Sequence, residues 1–70
     1  NANSFLLRQF LPPLFPLNQL QEVYEVIEEK EYDNRNFRKR MVLSGIVEET
    51  KQSEKNVSHR PAALFRFADQ

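Results

Sequence analysis

Asp33-Asn34-Arg35-Asn36-Phe37-Arg38-Lys39-Arg40-Met41-Val42-Leu43-Ser44-Gly45 carries the signals of a helix with both of its ends marked. Asp33 is a strong N-cap, because its carboxylate accepts the orphan N–H groups of a first helical turn; Asn36 stands three residues on, where a capping box returns the bond. Tyr32 and Phe37 occupy the two positions that a hydrophobic staple joins across such a cap. Gly45, the single glycine of the chain, falls where a left-handed residue ends a helix, and Ile46 after it is placed to touch Met41 as in a Schellman motif. The spacing therefore predicts a helix over residues 34–44. At about 100° per residue, Phe37, Met41 and Ser44 share one face, while Arg35, Arg38, Lys39 and Val42 fall on the opposite one. One face is core, and the other is a cationic strip.

A charge run on a helix is usually a solvated face held together by acid–base pairs one turn apart. Within this helix Arg35, Arg38, Lys39 and Arg40 have no acid three or four residues away. Their mutual repulsion points to an anion from outside the chain, although on composition alone a phosphate-binding face and a merely solvated one both stay open.

Seventy residues make one domain, 1–70, near the lower limit for a self-sufficient core, so every large apolar residue is expected to face inward. Residues 1–3 are set aside as an expression remnant or an unordered start. The absence of cysteine removes disulfides and thiolate metal sites, and fits a reducing cytoplasm. One histidine, His59, cannot make a His-rich metal centre, and nothing in the domain calls for a metal or a cofactor. No apolar run approaches the ~20 residues of a membrane span, so no membrane partner is expected.

The formal net charge of zero hides a segregation along the chain. Residues 17–33 hold Glu22, Glu25, Glu28, Glu29, Glu31 and Asp33 against Lys30, a balance of −5. Residues 34–66 hold Arg35, Arg38, Lys39, Arg40, Lys51, Lys55, Arg60 and Arg66 against Glu48, Glu49 and Glu54, a balance of +5. A polyanion is attracted to the second half and repelled by the first.

Taken in order, Ser4–Leu11 recurs in apolar residues as a short helix does, and Pro12-Pro13 closes it. Leu14–Pro16 reads as an extended connector that carries Phe15 into the core, and Pro16 suits the entry to a second helix. That helix runs from about Leu17 to Glu29, with Leu17, Leu20, Val23, Tyr24 and Ile27 as its apolar stripe and the glutamates outside it. Only Lys30, Glu31 and Tyr32 separate it from Asp33, which makes the pair a helix-turn-helix. After Gly45 the period changes: residues 46–50 and 62–67 are β-prone, and the polar residues 51–61 between them read as a hairpin with a mobile tip. The expected fold is α+β, a winged helix-turn-helix of three helices followed by a two-stranded β-hairpin wing. Its core is expected to join Leu20, Tyr24, Ile27, Phe37, Met41, Leu64 and Phe65.

Two strings in this frame resemble a known family. Asp33-Asn34-Arg35-Asn36-Phe37-Arg38-Lys39-Arg40, closed by Gly45 and the strand Ile46-Val47-Glu48-Glu49-Thr50, resembles the recognition helix of the Nudix-related transcriptional regulators. Arg60-Pro61-Ala62-Ala63-Leu64-Phe65-Arg66-Phe67 is similar to that family's terminus, and Leu17–Glu25 to its preceding helix, so the resemblance covers about residues 10–67. His59 stands where the family usually has glycine, Phe65 where it has tyrosine, and Pro16 where it has a threonine cap. The resemblance implies a C-terminal DNA-binding domain of a bacterial regulator, preceded by a Nudix-like domain that supplies most of a homodimer interface. That domain would bind a small effector, an ADP-ribose-type compound or a sugar.

The expectation is sequence-specific binding of double-stranded DNA, with an inverted-repeat operator as the partner. Residues 34–44 would enter the major groove with Arg35, Arg38 and Lys39 as main contacts, and Arg40 on the same helix. Asn36 would reach a phosphate or an adenine. Lys51, Lys55, His59 and Arg60 on the wing, residues 51–61, would meet the backbone or the minor groove; His59 alone is more often an exposed loop residue. The alternative is a winged helix that binds protein rather than DNA. The chain is not expected to be an enzyme, because it has no paired nucleophile and base, no metal cluster and no phosphate-cradling glycine loop.

Overall fold

The structure, a computed structural model, describes residues 4–68, with the side chains of residues 4 and 5 left aside; residues 1–3 lie outside it. Three helices, α1 (Ser4–Arg8), α2 (Leu17–Glu28) and α3 (Asn34–Ser44), are combined with strands β1 (Phe15–Pro16), β2 (Val47–Ser53) and β3 (Ala63–Phe67). The strands form one antiparallel sheet in the order β1-β3-β2. This is the winged helix architecture, with one addition to the two-stranded wing expected from sequence. The Phe15-Pro16 connector pairs with Phe65 and Leu64 and so becomes a third strand at the sheet edge, where the missing N–H of Pro16 is tolerated.

The core joins Leu7, Phe15, Leu17, Leu20, Tyr24, Phe37, Met41, Val47 and Phe65. Phe37 is its hinge, in edge contact with Tyr24 at 5.4 Å and tilted against Tyr32 at 5.6 Å between ring centroids. The second contact is the staple across the cap of α3. On the sheet side Phe15 and Phe67 lie 5.1 Å apart.

Two expectations fail together. Helix α1 stops at Arg8 rather than Leu11, and the backbone turns there through bonds from the Gln9 and Phe10 N–H groups to the Leu6 and Leu7 carbonyls. Ile27, expected in the core, is 41% exposed and shares a surface depression with Phe10, Val23 and Val26. Leu6, Val42 and Leu43 are exposed as well, so the rule that every large apolar residue faces inward does not hold for this chain.

Glu25 also departs from the solvated acidic back assigned to it. Its Oε2 accepts from the Tyr32 N–H at 2.9 Å and from the Gln21 carboxamide at 3.2 Å. The same Gln21 nitrogen donates to the Tyr32 carbonyl at 3.1 Å and to Asn34 Oδ1 at 2.7 Å. Gln21 is the buried polar residue of the core, and it ties α2, the turn and the first residue of α3 to one point.

The polar tie and the end of α2 can each be tested by one substitution. Gln21→Leu keeps most of the volume but leaves the Tyr32 carbonyl and Asn34 without their donor, so it should cost about 1–3 kcal/mol in denaturant unfolding; an unchanged midpoint would show that the tie carries no stability. Helix α2 ends on Glu29 at φ 53°, a left-handed conformation that costs a side chain about 1–2 kcal/mol. Glycine there removes that strain and gives back ~0.5–1 kcal/mol in chain entropy. Glu29→Gly should therefore raise stability by roughly 0.5–1 kcal/mol, and a lower melting temperature would contradict the assignment.

Candidate nucleic-acid interface

Helix α3 is held at both ends by local chemistry. At its start the Asn36 N–H donates to Asp33 Oδ2 at 3.0 Å and the Phe37 N–H to the Asp33 carbonyl at 2.8 Å. At its end Gly45 takes φ 77°, and the Ser44 hydroxyl stands between the groups that a Schellman motif pairs: it donates to the Met41 carbonyl at 2.8 Å and accepts from the Ile46 N–H at 3.2 Å. With Phe37 and Met41 buried, Arg35, Asn36, Arg38 and Lys39 are all left exposed on the outer side.

These side chains are not equivalent. Asn34 is exposed but its Oδ1 is taken by Gln21, whereas the exposed Asn36 side chain faces outward on the first turn. The Arg38 guanidinium lies 5.8 Å from the centre of the Phe65 ring, so β3 props it against the sheet. Arg40 turns to the other flank and lies 5.8 Å from the Tyr32 ring, close to the acidic end of α2. Arg35 and Lys39 occupy the middle of the strip, with no acidic partner among the described residues. Sequence reading placed the four cations together; the aromatic partners of Arg38 and Arg40 come from distant segments and leave no periodic signal.

The wing is built by an irregularity in the sheet. Glu49 pairs with Phe65 and Ser53 with Ala63, so β2 spends two more residues than β3 over the same span. The Thr50 hydroxyl fills the gap, donating to the Leu64 carbonyl at 2.8 Å and accepting from the Gln52 N–H at 3.1 Å. Such a bulge bends the strand and re-aims the residues beyond it. Lys51 consequently sits within β2 rather than in the loop where it was expected, and the loop itself is the shorter run 54–62.

Its neck is pinned by Glu54, whose N–H donates to the Ala62 carbonyl and whose carboxylate accepts from the Ala62 N–H, both at 3.0 Å. Lys55, His59 and Arg60 are exposed on this loop. His59 Nδ1 lies 2.8 Å from the Arg60 carbonyl and 3.9 Å from Glu54. Of the three acids of this region, Glu48 is bound to Arg66 at 2.7 Å and Glu54 is occupied at the neck, while Glu49 is exposed on β2. Lys51, Lys55 and Arg60 have no acidic partner among the described residues, as with Arg35 and Lys39.

Residues 7–67 match the family of the NrtR DNA-binding winged helix domain. The chain belongs to this family. It is also 52% identical over 58 residues to the ADPR responsive transcriptional repressor NtrR of Acinetobacter baylyi, a match that covers 83% of this chain and 23% of the relative. As a member of this family the chain is a DNA-binding winged helix domain, and the alternative of a purely protein-binding winged helix is not favoured.

The tyrosines beside Arg40 report on the flank of this helix. The Tyr32 hydroxyl donates to the Glu28 carboxylate, which with desolvation holds its pKa above the ordinary 10.0, while Arg40 pulls it down. Burial, then the Glu28 charge, raises that of Tyr24, again opposed by Arg40. A raised phenol pKa favours the neutral folded form. Its contribution to stability is fully present below the unfolded value near 10.0 and is lost as pH rises through the folded one. Tyrosinate absorbance should therefore develop above pH 10.0 in the folded domain, and Arg40→Ala should move both titrations higher still; a shift to lower pH in that variant would refute the placement of Arg40.

Proposed function

We propose that this domain is the C-terminal reading head of a longer cytoplasmic bacterial repressor, which binds an inverted-repeat operator as a homodimer. The observation that carries this reading is the outer face of α3, where Arg35 and Lys39, unpaired among the described residues, stand beside an Arg38 already propped on Phe65. Residues 34–44 enter the major groove, where Arg35 or Arg38 makes a bidentate contact to guanine worth about 1–3 kcal/mol of discrimination. Asn36 and Lys39 serve phosphate or base edges beside them. Arg40, turned toward Tyr32, meets the backbone at the groove edge.

Lys51, Lys55, His59 and Arg60 lie along the wing and neutralise phosphates or enter the minor groove. The 23% coverage of the relative leaves room for a second domain, which by the family resemblance is Nudix-like, dimerises, and binds an ADP-ribose-type effector. The domain itself carries out no catalysis and holds no cofactor.

A single reading head makes about six to eight phosphate contacts, which places its affinity near the non-specific range, roughly 10⁻⁴ to 10⁻⁶ M at physiological salt. Two copies joined at the spacing of successive major grooves, about 34–36 Å, should bind an inverted repeat far more tightly through effective concentration alone. The test is a salt titration of duplex binding by the single domain and by a fused pair. Arg35→Ala or Arg38→Ala should relax base preference, whereas Lys55→Ala should weaken all sequences alike and reduce the salt slope by about one unit or less. If neither form retains a duplex at about 50 mM salt, where phosphate contacts are strongest, the module binds something other than DNA.

A further inference from the structure

The outer face of α3 is not uniformly cationic. Val42 is 51% exposed and Leu43 75% exposed, on a helix whose inward positions are already filled by Phe37 and Met41. Val42 follows Arg35 by seven residues, Arg38 by four and Lys39 by three, so it continues the same strip, and Leu43 flanks Lys39 on its other side. Packing within the described residues does not account for so much exposed apolar surface on either side chain. Helix propensity does not account for Val42 either, since a β-branched residue is poorer than alanine or lysine in a helix.

Helix α3 contains no acid from Asn34 to Ser44, and the first one after it in the chain, Glu48, is bound to Arg66. No acid on the helix itself opposes the approach of its C-terminal half to a phosphate backbone, and the exposed Glu49 lies beyond it on β2. In the major groove the apolar feature that distinguishes one base from another is the 5-methyl group of thymine. At 1.5 Å per residue, Val42 lies roughly 10 Å along the helix from Arg35, about three base-pair steps of ~3.4 Å.

We propose that Val42, with Leu43 beside it, reads thymine methyl groups in each half-site, about three base pairs from the base read by Arg35. The inference rests on the DNA-binding reading above and adds a base identity to it. The arginines select for acceptor groups at one end of the strip, and Val42 selects for a methyl group at the other. A short branched side chain reaches such a methyl only where the helix itself lies deep. The contact therefore also reports that the C-terminal half of α3 is inserted.

The experiment starts from duplexes selected out of a random pool by the full-length protein. Each thymine of the preferred duplex is then replaced, one at a time, by deoxyuridine, which keeps the base pair and removes only the methyl group. Replacement at one position per half-site should weaken binding about fourfold, the worth of one buried methyl group, while most other positions change little. Val42→Ala should shrink the deoxyuridine penalty at that position, and Val42→Ser, which puts a hydroxyl in place of the apolar branch, should shrink it further. Because Val42 is exposed and alanine is the better helix former, the alanine variant keeps its fold. A deoxyuridine penalty identical in the parent and in Val42→Ala, or no penalty anywhere, overturns the methyl contact and leaves DNA binding standing. Selection that recovers no duplex overturns both.

Discussion

One carboxamide decides how the recognition helix is presented. The Gln21 nitrogen has two hydrogens and faces three acceptors, on Glu25, the Tyr32 backbone and Asn34, so its bonds are shared rather than assigned. Glu25 closes the circuit by accepting from the Tyr32 N–H. The five residues between the helices, 29–33, contain no glycine, and the course of the turn is set by its bonds to α2. The angle at which α3 leaves the turn depends on that small network together with the Phe37 ring, which packs on Tyr24 from one side and Tyr32 from the other. Apolar contact brings the two helices together, and the polar tie selects the register in which they meet.

The segregation of charge acquires its meaning from this presentation. The glutamates of α2 belong to a different element from Arg35 and Lys39, two of them engaged at Tyr32, and the wing adds Lys51, Lys55 and Arg60 on a third. A zero net charge on such a molecule is compatible with a strong local field, because a phosphate chain samples the near surface within a Debye length of about 8–10 Å rather than the sum over the whole chain. The acid that would most weaken the wing, Glu54, is spent on the neck of its loop.

The features legible from the residues alone are those that depend on neighbours in sequence. Asp33, Phe37 and Gly45 define α3 to the residue because caps and staples act within one turn, whereas Ser44, assigned from its spacing to the core face, is exposed and serves the C-terminal cap. The two β-prone runs around a polar loop were legible for the same reason. The pairing of Phe15 with Phe65 was not, since fifty residues separate the partners and a two-residue strand has no periodicity of its own. Ile27 was misplaced because a helix stripe says which face is apolar without saying what covers it. The site divides in the same way. The cations were visible as a run, whereas the props under Arg38 and Arg40 and the bulge that carries Lys51 into β2 depend on tertiary geometry.

The pinned neck of the wing separates two kinds of evolutionary freedom. With Glu54 and Ala62 fastened to each other, the seven residues between them project from a closed base and pass little strain to Phe65 or the core. Lengthening such a loop is cheap, since each doubling costs only about 0.6 kcal/mol of closure entropy. The tip can therefore drift in length and charge while α3 keeps its reading frame. Related regulators built on this scaffold could diverge in how firmly they grip the backbone long before they diverge in which bases they recognise.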